Sequence, residues 1–172
     1  MRENQDRFTA LVNAWSADLY RFAFWLSRDR ARAEDLVQET FLRAWRSLAS
    51  LREEQAAKSW LFTILRREHV RRGPVTLPTL EIETALDEPA QVGDAAQDWV
   101  IRRHLADLPD DYREPLLLQV LGGLSCDEIA VELGITRAAA MTRLFRARQK
   151  LRAALNGDTT NEWPEVHEHE LP

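Results

Sequence analysis

The sequence predicts an all-α fold: two small helical domains joined by a flexible acidic linker. Three observations carry this. Apolar residues recur mostly three and four positions apart, the period of a helix with one buried face. Glycine and proline are few, six and seven in 172 residues, and three of the prolines fall in the single long break in that period. Charge divides the same way: residues 1–72 carry +4, 73–95 carry −5, 96–155 carry +1 and 156–172 carry −5. The net −5 therefore sits in two segments outside the periodic parts, and local patches rather than the total decide where phosphate can bind.

In chain order, residues 7–27 predict a first helix. Phe8, Leu11, Val12, Trp15, Leu19, Phe22, Ala23 and Leu26 lie at helical spacing, with Tyr20, Phe24 and Trp25 widening the apolar surface. A polar bend follows, then a helix from Ala31 or Ala33 to Leu48. Its expected inner face is Leu36 or Val37, then Thr40, Phe41, Ala44, Trp45 and Leu48. Its outer face is Asp35, Gln38, Glu39, Leu42, Arg43 and Arg46; Leu42 stands alone among charges, either on a partner surface or on a solvated one with helix ion pairs such as Glu39–Arg43.

Residues 47–58 read as a polar connector. A third helix starts near Ser59 with Trp60, Leu61, Ile64 and Leu65 and runs into Arg66, Arg67, Arg71 and Arg72. Aromatics beside clustered arginines can stack bases and neutralise phosphate, although Trp60 reads equally as core. Residues 73–95 hold three prolines and no basic residue: a flexible acidic linker, with the domain boundary inside it.

The second domain, residues 96–155, begins with a helix carrying Val100, Ile101, Leu105 and Leu108 and ending at Pro109. Asp110 or Asp111 is expected to cap the next, which carries Tyr112, Leu116, Leu117, Val120 and Leu121 and stops at Gly122-Gly123. Pro115 is tolerable near that helix's first turn. Ser125 and Glu128 have capping-box spacing, Ile129, Ala130 and Leu133 form one apolar face, Gly134 suits a left-handed C-terminus, and Thr136 can cap a second helix. That helix carries Arg137, Arg143, Arg146, Arg148, Lys150 and Arg152 and no acid. A short helix, a glycine turn and a basic helix describe a helix-turn-helix that binds DNA, or an ordinary hairpin with a solvated basic face.

No apolar run reaches the ~18 residues a membrane span needs, and the N-terminus lacks a signal peptide's apolar core, so no direct membrane insertion and a cytoplasmic location are expected. The lone Cys126 reads as a small half-buried hydrophobe. The tail, residues 156–172, has no apolar period and reads as disordered; its His167 and His169 alternate with acids and make a poor metal site. No glycine phosphate cradle, metal-ligand set or nucleophile–base spacing appears, so no enzyme, cofactor, metal or small-molecule substrate is expected.

Two stretches carry a resemblance. DLVQETFLRAW (residues 35–45) with WLFTILRREHVRR (60–72) resembles domain 2 of extracytoplasmic-function (ECF) sigma factors, and residues 108–155 resemble their domain 4, in the family's order. The resemblance implies a bacterial RNA polymerase subunit that recognises promoters, with core polymerase and promoter DNA as partners and control by an anti-sigma factor, often membrane-anchored. It assigns Asp35, Gln38, Glu39 and Leu42 to the surface docking on the polymerase, and Trp60, with Arg66, Arg67, Arg71 and Arg72, to the −10 element. It assigns Thr136, Arg137, Ala138, Ala139, Met141 and Thr142 to the −35 major groove, with Arg143, Arg146 and Arg148 mainly anchoring phosphates. Family members often have Asn where Arg67 stands and Lys where Met141 stands, and Gly73-Pro74 ends the third helix early. Free of polymerase, the two domains could pack together and hide their DNA faces. Two rivals explain less: a stand-alone helix-turn-helix regulator leaves residues 35–45 unexplained, and a protein-only adaptor leaves the basic helix unexplained.

Overall fold

In the computed structural model, which describes residues 2–73 and 95–157 (backbone only for 95–99), the described chain is helical and contains no strand. Its helices are α1 (Arg2–Ser27), α2 (Arg30–Arg46), α3 (Ala57–Arg72), α4 (Ala95–Asp107), α5 (Asp110–Val120), α6 (Cys126–Leu133) and α7 (Arg137–Leu155). Most of the linker and tail, with His167 and His169, lies outside the described residues. No helix among those described is long and apolar enough to cross a membrane.

Helix ends follow local chemistry. Asp29, inside what reads as a plain polar bend, accepts the Arg32 amide at 2.7 Å and starts α2 at Arg30, one residue before the earlier of the two expected starts. Thr136 accepts the Ala139 amide at 3.1 Å, Ser125 and Glu128 close both halves of the capping box, and Gly134 has φ +65°. The expected cap of α5 is different. Pro109 occupies the N-cap, and Asp110 and Asp111 sit inside the first turn, their carboxylates drawn to Arg113 and Arg143. Pro115 lies in the second turn, and the bond it cannot make falls on the carbonyl of exposed Asp111.

The first three helices pack on one another through Leu19, Phe22, Ala23, Leu36, Ala44, Leu61, Phe62 and Leu65, all fully buried, with Phe22 and Phe62 rings 5.1 Å apart. Buried Thr40 is satisfied by the Leu36 carbonyl at 2.6 Å. Trp45, expected inside, is 46% exposed and meets the edge of Phe8, at 5.1 Å, because the buried stripe of α2 is Ala33, Leu36, Thr40 and Ala44. The connector is more than a polar loop. It forms two 3₁₀ turns, Leu48–Ser50 and Glu54–Ala56, and Leu48, Leu51 and Ala57 are buried against Leu11. Arg7 ties it to α1 through the Leu51 carbonyl, at 2.8 Å, and Glu54.

Around α7, the helices α4, α5 and α6 bury Leu108, Tyr112, Leu116, Leu117, Leu118, Leu124, Ile129, Ala140, Leu144 and Ala147. These residues and the core of α1–α3 form one continuous apolar cluster. Phe62 of α3 lies against the Gly122 backbone, where an added Cβ would stand 3.0 Å from the ring, 2.8 Å from Leu124 and 2.6 Å from the Leu118 carbonyl oxygen. Only glycine lets the α5–α6 turn come this close. Gly122→Ala is expected to lower stability by about 1–3 kcal/mol through overpacking, read from urea denaturation midpoints.

Candidate nucleic-acid and partner interfaces

Since α2 buries the stripe of Ala33, Leu36, Thr40 and Ala44, helical spacing turns Asp35, Gln38, Glu39 and Leu42 the other way. Asp35 and Gln38 are exposed, Glu39 half-buried, and Leu42 is 52% exposed, an apolar side chain on an open face. Arg43 closes the face: its Nε lies 2.9 Å from a Glu39 oxygen and 2.9 Å from a Glu68 oxygen of α3.

On α3, Leu61, Phe62 and Leu65 take the inner side and Trp60 is half-buried between the main core and the small cluster under the connector. Trp60 thus belongs to both packing and surface. The four arginines after it are all engaged. Arg66 pairs with Glu114 of α5 at 2.7 Å and donates to the Glu132 carbonyl of α6, while Arg67 forks onto the Glu132 carboxylate. Arg71 and Arg72 both turn back to Glu68. Burial pushes the Glu68 carboxyl up, but hydrogen bonding from Arg71 and the charges of Arg43 and Arg71 outweigh it and hold it below the ordinary glutamate value.

The recognition-helix candidates on α7 split. Arg137, Ala138, Met141, Thr142 and Arg148 share one exposed face, with Thr136 exposed at its start. Ala139, Arg143 and Arg146 do not belong to it: they form a half-buried flank, Arg143 lying 3.4 Å from Asp111. Arg137 meets Asp127 at 3.1 Å and Arg148 meets Gln119. The exposed face also contains Phe145, 66% exposed, which sequence reasoning passed over. Its signal was present: it stands four positions after Met141 and seven after Ala138, whereas the buried stripe runs through Ala140, Leu144 and Ala147.

Where α1 and α3 meet α5, a cleft of about 320 Å³ is lined by Trp25, Arg28, Arg66, His69, Asp110 and Arg113, among others. Its arginines are paired: Arg28 with Asp110, Arg66 with Glu114, and Arg113 with Asp110 and the Ala106 and Leu108 carbonyls. His69 has its Nδ1 buried without a hydrogen-bond partner. Burial, then the positive charges of Arg32 and Arg66, hold its pKa below the ordinary 6.5, with Asp110 pulling the other way.

Two family models match the chain: Sigma-70 region 2 over residues 11–72 and Sigma-70, region 4 over residues 99–151. The ECF RNA polymerase sigma factor SigM of Bacillus subtilis is 32% identical over 154 residues, covering 84% of this chain and 93% of that protein. The crystallised complex of the sigma factor RpoE with the anti-sigma factor NepR from Bartonella quintana contains a chain matching with TM-score 0.66 and 29% identity, over 92% of this chain and 99% of that one. A chain in the structure of CnrH with the cytosolic domain of CnrY matches with TM-score 0.58 and 28% identity, over 90% and 91%.

Two outcomes test the geometry. Replacing Glu132 by Gln removes the carboxylate that grips Arg67, so the two halves should separate more often, read as lower energy-transfer efficiency between dyes on α1 and α7. His69, neutral in this arrangement and protonated more readily once unfolded, contributes stability that is lost as pH falls below about 6.5. The urea midpoint of the wild type should therefore fall further between neutral and mildly acid pH than that of His69→Gln.

Proposed function

This chain belongs to the ECF RNA polymerase sigma factors, and we propose how its surfaces divide the work. It is an alternative sigma factor that binds core RNA polymerase and directs promoter-specific initiation. The observation that carries the division of labour is that one chain presents two unlike open faces: an acidic-apolar one on α2 and a basic-aromatic one on α7.

Asp35, Gln38, Glu39 and Leu42 dock on the polymerase. A carboxylate rim around one exposed leucine suits a basic protein surface with an apolar centre. Trp60 and the connector turns face the −10 element, supplying an aromatic wall for an unstacked base, and Arg66, Arg67, Arg71 and Arg72 hold adjacent phosphates. The −35 major groove is read by Thr136, Arg137, Ala138, Met141, Thr142 and Phe145. This surface has few hydrogen-bonding groups and favours thymine methyl contact and DNA shape over a dense code. The flank of Ala139, Arg143 and Arg146 follows the sugar–phosphate edge, and Arg148 anchors phosphate at the end of the exposed face.

The domains divide as residues 1–72 for polymerase docking and −10 recognition and 96–155 for −35 recognition, with 73–95 as tether and 156–172 as tail. The chain supplies recognition and no bond-making chemistry, and it works in the cytoplasm with the polymerase. In the conformation described, Arg66 and Arg67 are held by Glu114 and Glu132, so binding −10 phosphate requires these pairs to open. An anti-sigma factor that keeps them closed, or covers the α2 face, switches the protein off. A partner of this kind accompanies the matched RpoE chain.

The test is transcription with purified bacterial core polymerase on fragmented genomic DNA, with start sites mapped. Wild type should generate new starts sharing −10 and −35 elements; Leu42→Arg should lose them, with core affinity down about tenfold or more and an unchanged melting temperature. Absence of new starts from folded wild type would instead favour a stand-alone DNA-binding regulator.

A further inference from the structure

We infer that Glu68 is a positioning residue that couples the polymerase-docking face to the −10 arginines, an inference resting on the division of surfaces above. Glu68 is 3% exposed, yet three guanidiniums converge on it. One carboxylate oxygen takes Arg71 and, at 3.4 Å, Arg72; the other lies 2.9 Å from Arg43 of α2, whose Nε is also 2.9 Å from Glu39. A buried carboxylate surrounded this way stays ionised and fixes its partners.

Arginine is long and rotamer-rich, so a free Arg43 or Arg71 would sample many positions. With Glu68 between them they share one counter-charge: Arg71 donates a hydrogen bond to it and Arg43 faces it as an ion pair, so displacing one alters the field that holds the other. Arg43 stays folded beside Glu39 on the docking face, and Arg71 and Arg72 stay drawn along α3 instead of spreading. Glu68 touches neither polymerase nor DNA under this assignment. Its negative charge also offsets part of the charge of three arginines, which limits indiscriminate attraction to phosphate. Loss of the carboxylate should therefore loosen both faces together: weaker core binding on one side, and poorer discrimination between −10 and unrelated DNA on the other.

The test is a double-mutant cycle in the full chain, with Arg43→Gln and Arg71→Gln made singly and together, first with Glu68 and then with Glu68→Gln. Core affinity and the ratio of specific to non-specific starts are measured, and circular-dichroism melts establish that each variant is folded. With Glu68 present, the effects of the two arginine substitutions should depart from additivity by about threefold or more, as expected of residues in one network. In the Glu68→Gln background they should be additive, and Glu68→Gln alone should lower both readouts. A Glu68→Gln protein that melts earlier but keeps wild-type core affinity and start-site choice would overturn the inference and leave a merely structural carboxylate, as would additivity with Glu68 in place. Failure of the wild type itself to bind core would remove the sigma-factor reading and this inference with it, an outcome told apart by the wild-type arm alone.

Discussion

Within sixteen residues, α3 fills the core of the first three helices with Leu61, Phe62 and Leu65 and lays Phe62 against Gly122 of the second half. Its remaining sides carry a row of arginines, and the surfaces around it are placed by that packing. A helix has about 3.6 residues per turn, so no face is left unassigned. That is why its arginines end on carboxylates from α3 itself, α5 and α6, and why α3 borders both the open face of α2 and the inter-half cleft.

The closed arrangement is held by unlike contributions. Burial of Phe62 and its neighbours is non-directional and strong, whereas the ion pairs are shape-specific and individually weak: Arg67 is 68% exposed, and surface pairs of this kind contribute roughly 0–1 kcal/mol each. Weak, specific pairs laid beside the Phe62–Gly122 contact fit the proposal that this interface opens. Core polymerase need only bind the separated state better than the closed one to shift the population, and an anti-sigma factor need only do the reverse. Glu114 and Glu132 occupy the guanidiniums that the proposal assigns to phosphate, so on that proposal the closed arrangement and DNA compete for the same donors.

The α7 surface shows a different balance. Its outward face carries Ala138, Met141, Thr142 and Phe145 between Arg137 and Arg148, a surface with few hydrogen-bonding groups, which fits the proposed reliance on shape and apolar contact. Charge stands at the two ends of the face, Arg137 and Arg148, and on the flank with Arg143 and Arg146; on the proposed assignment the flank and the far end position the helix without specifying bases.

The all-α class, the helix-turn-helix with its capping box and left-handed Gly134, the outer face of α2 and the family were all legible in the order of residues. Each depends on local spacing or cap chemistry, which residues three or four apart decide among themselves. The partners of those faces were not legible there. Trp45 turns outward because the fully buried stripe runs through Leu36, Thr40 and Ala44, leaving Phe41 and Trp45 to one side, where they meet Phe8 of α1. Ala139 leaves the open face because the buried stripe of Ala140, Leu144 and Ala147 turns it to the flank with Arg143, and Phe145 takes an open place since Leu144 already fills the core. Glu68, ordinary in a basic stretch, becomes a shared counter-charge only when α2 brings Arg43 across. Periodicity says which residues share a face; which face meets a neighbour, and which charge waits there, depends on packing between segments far apart in the chain.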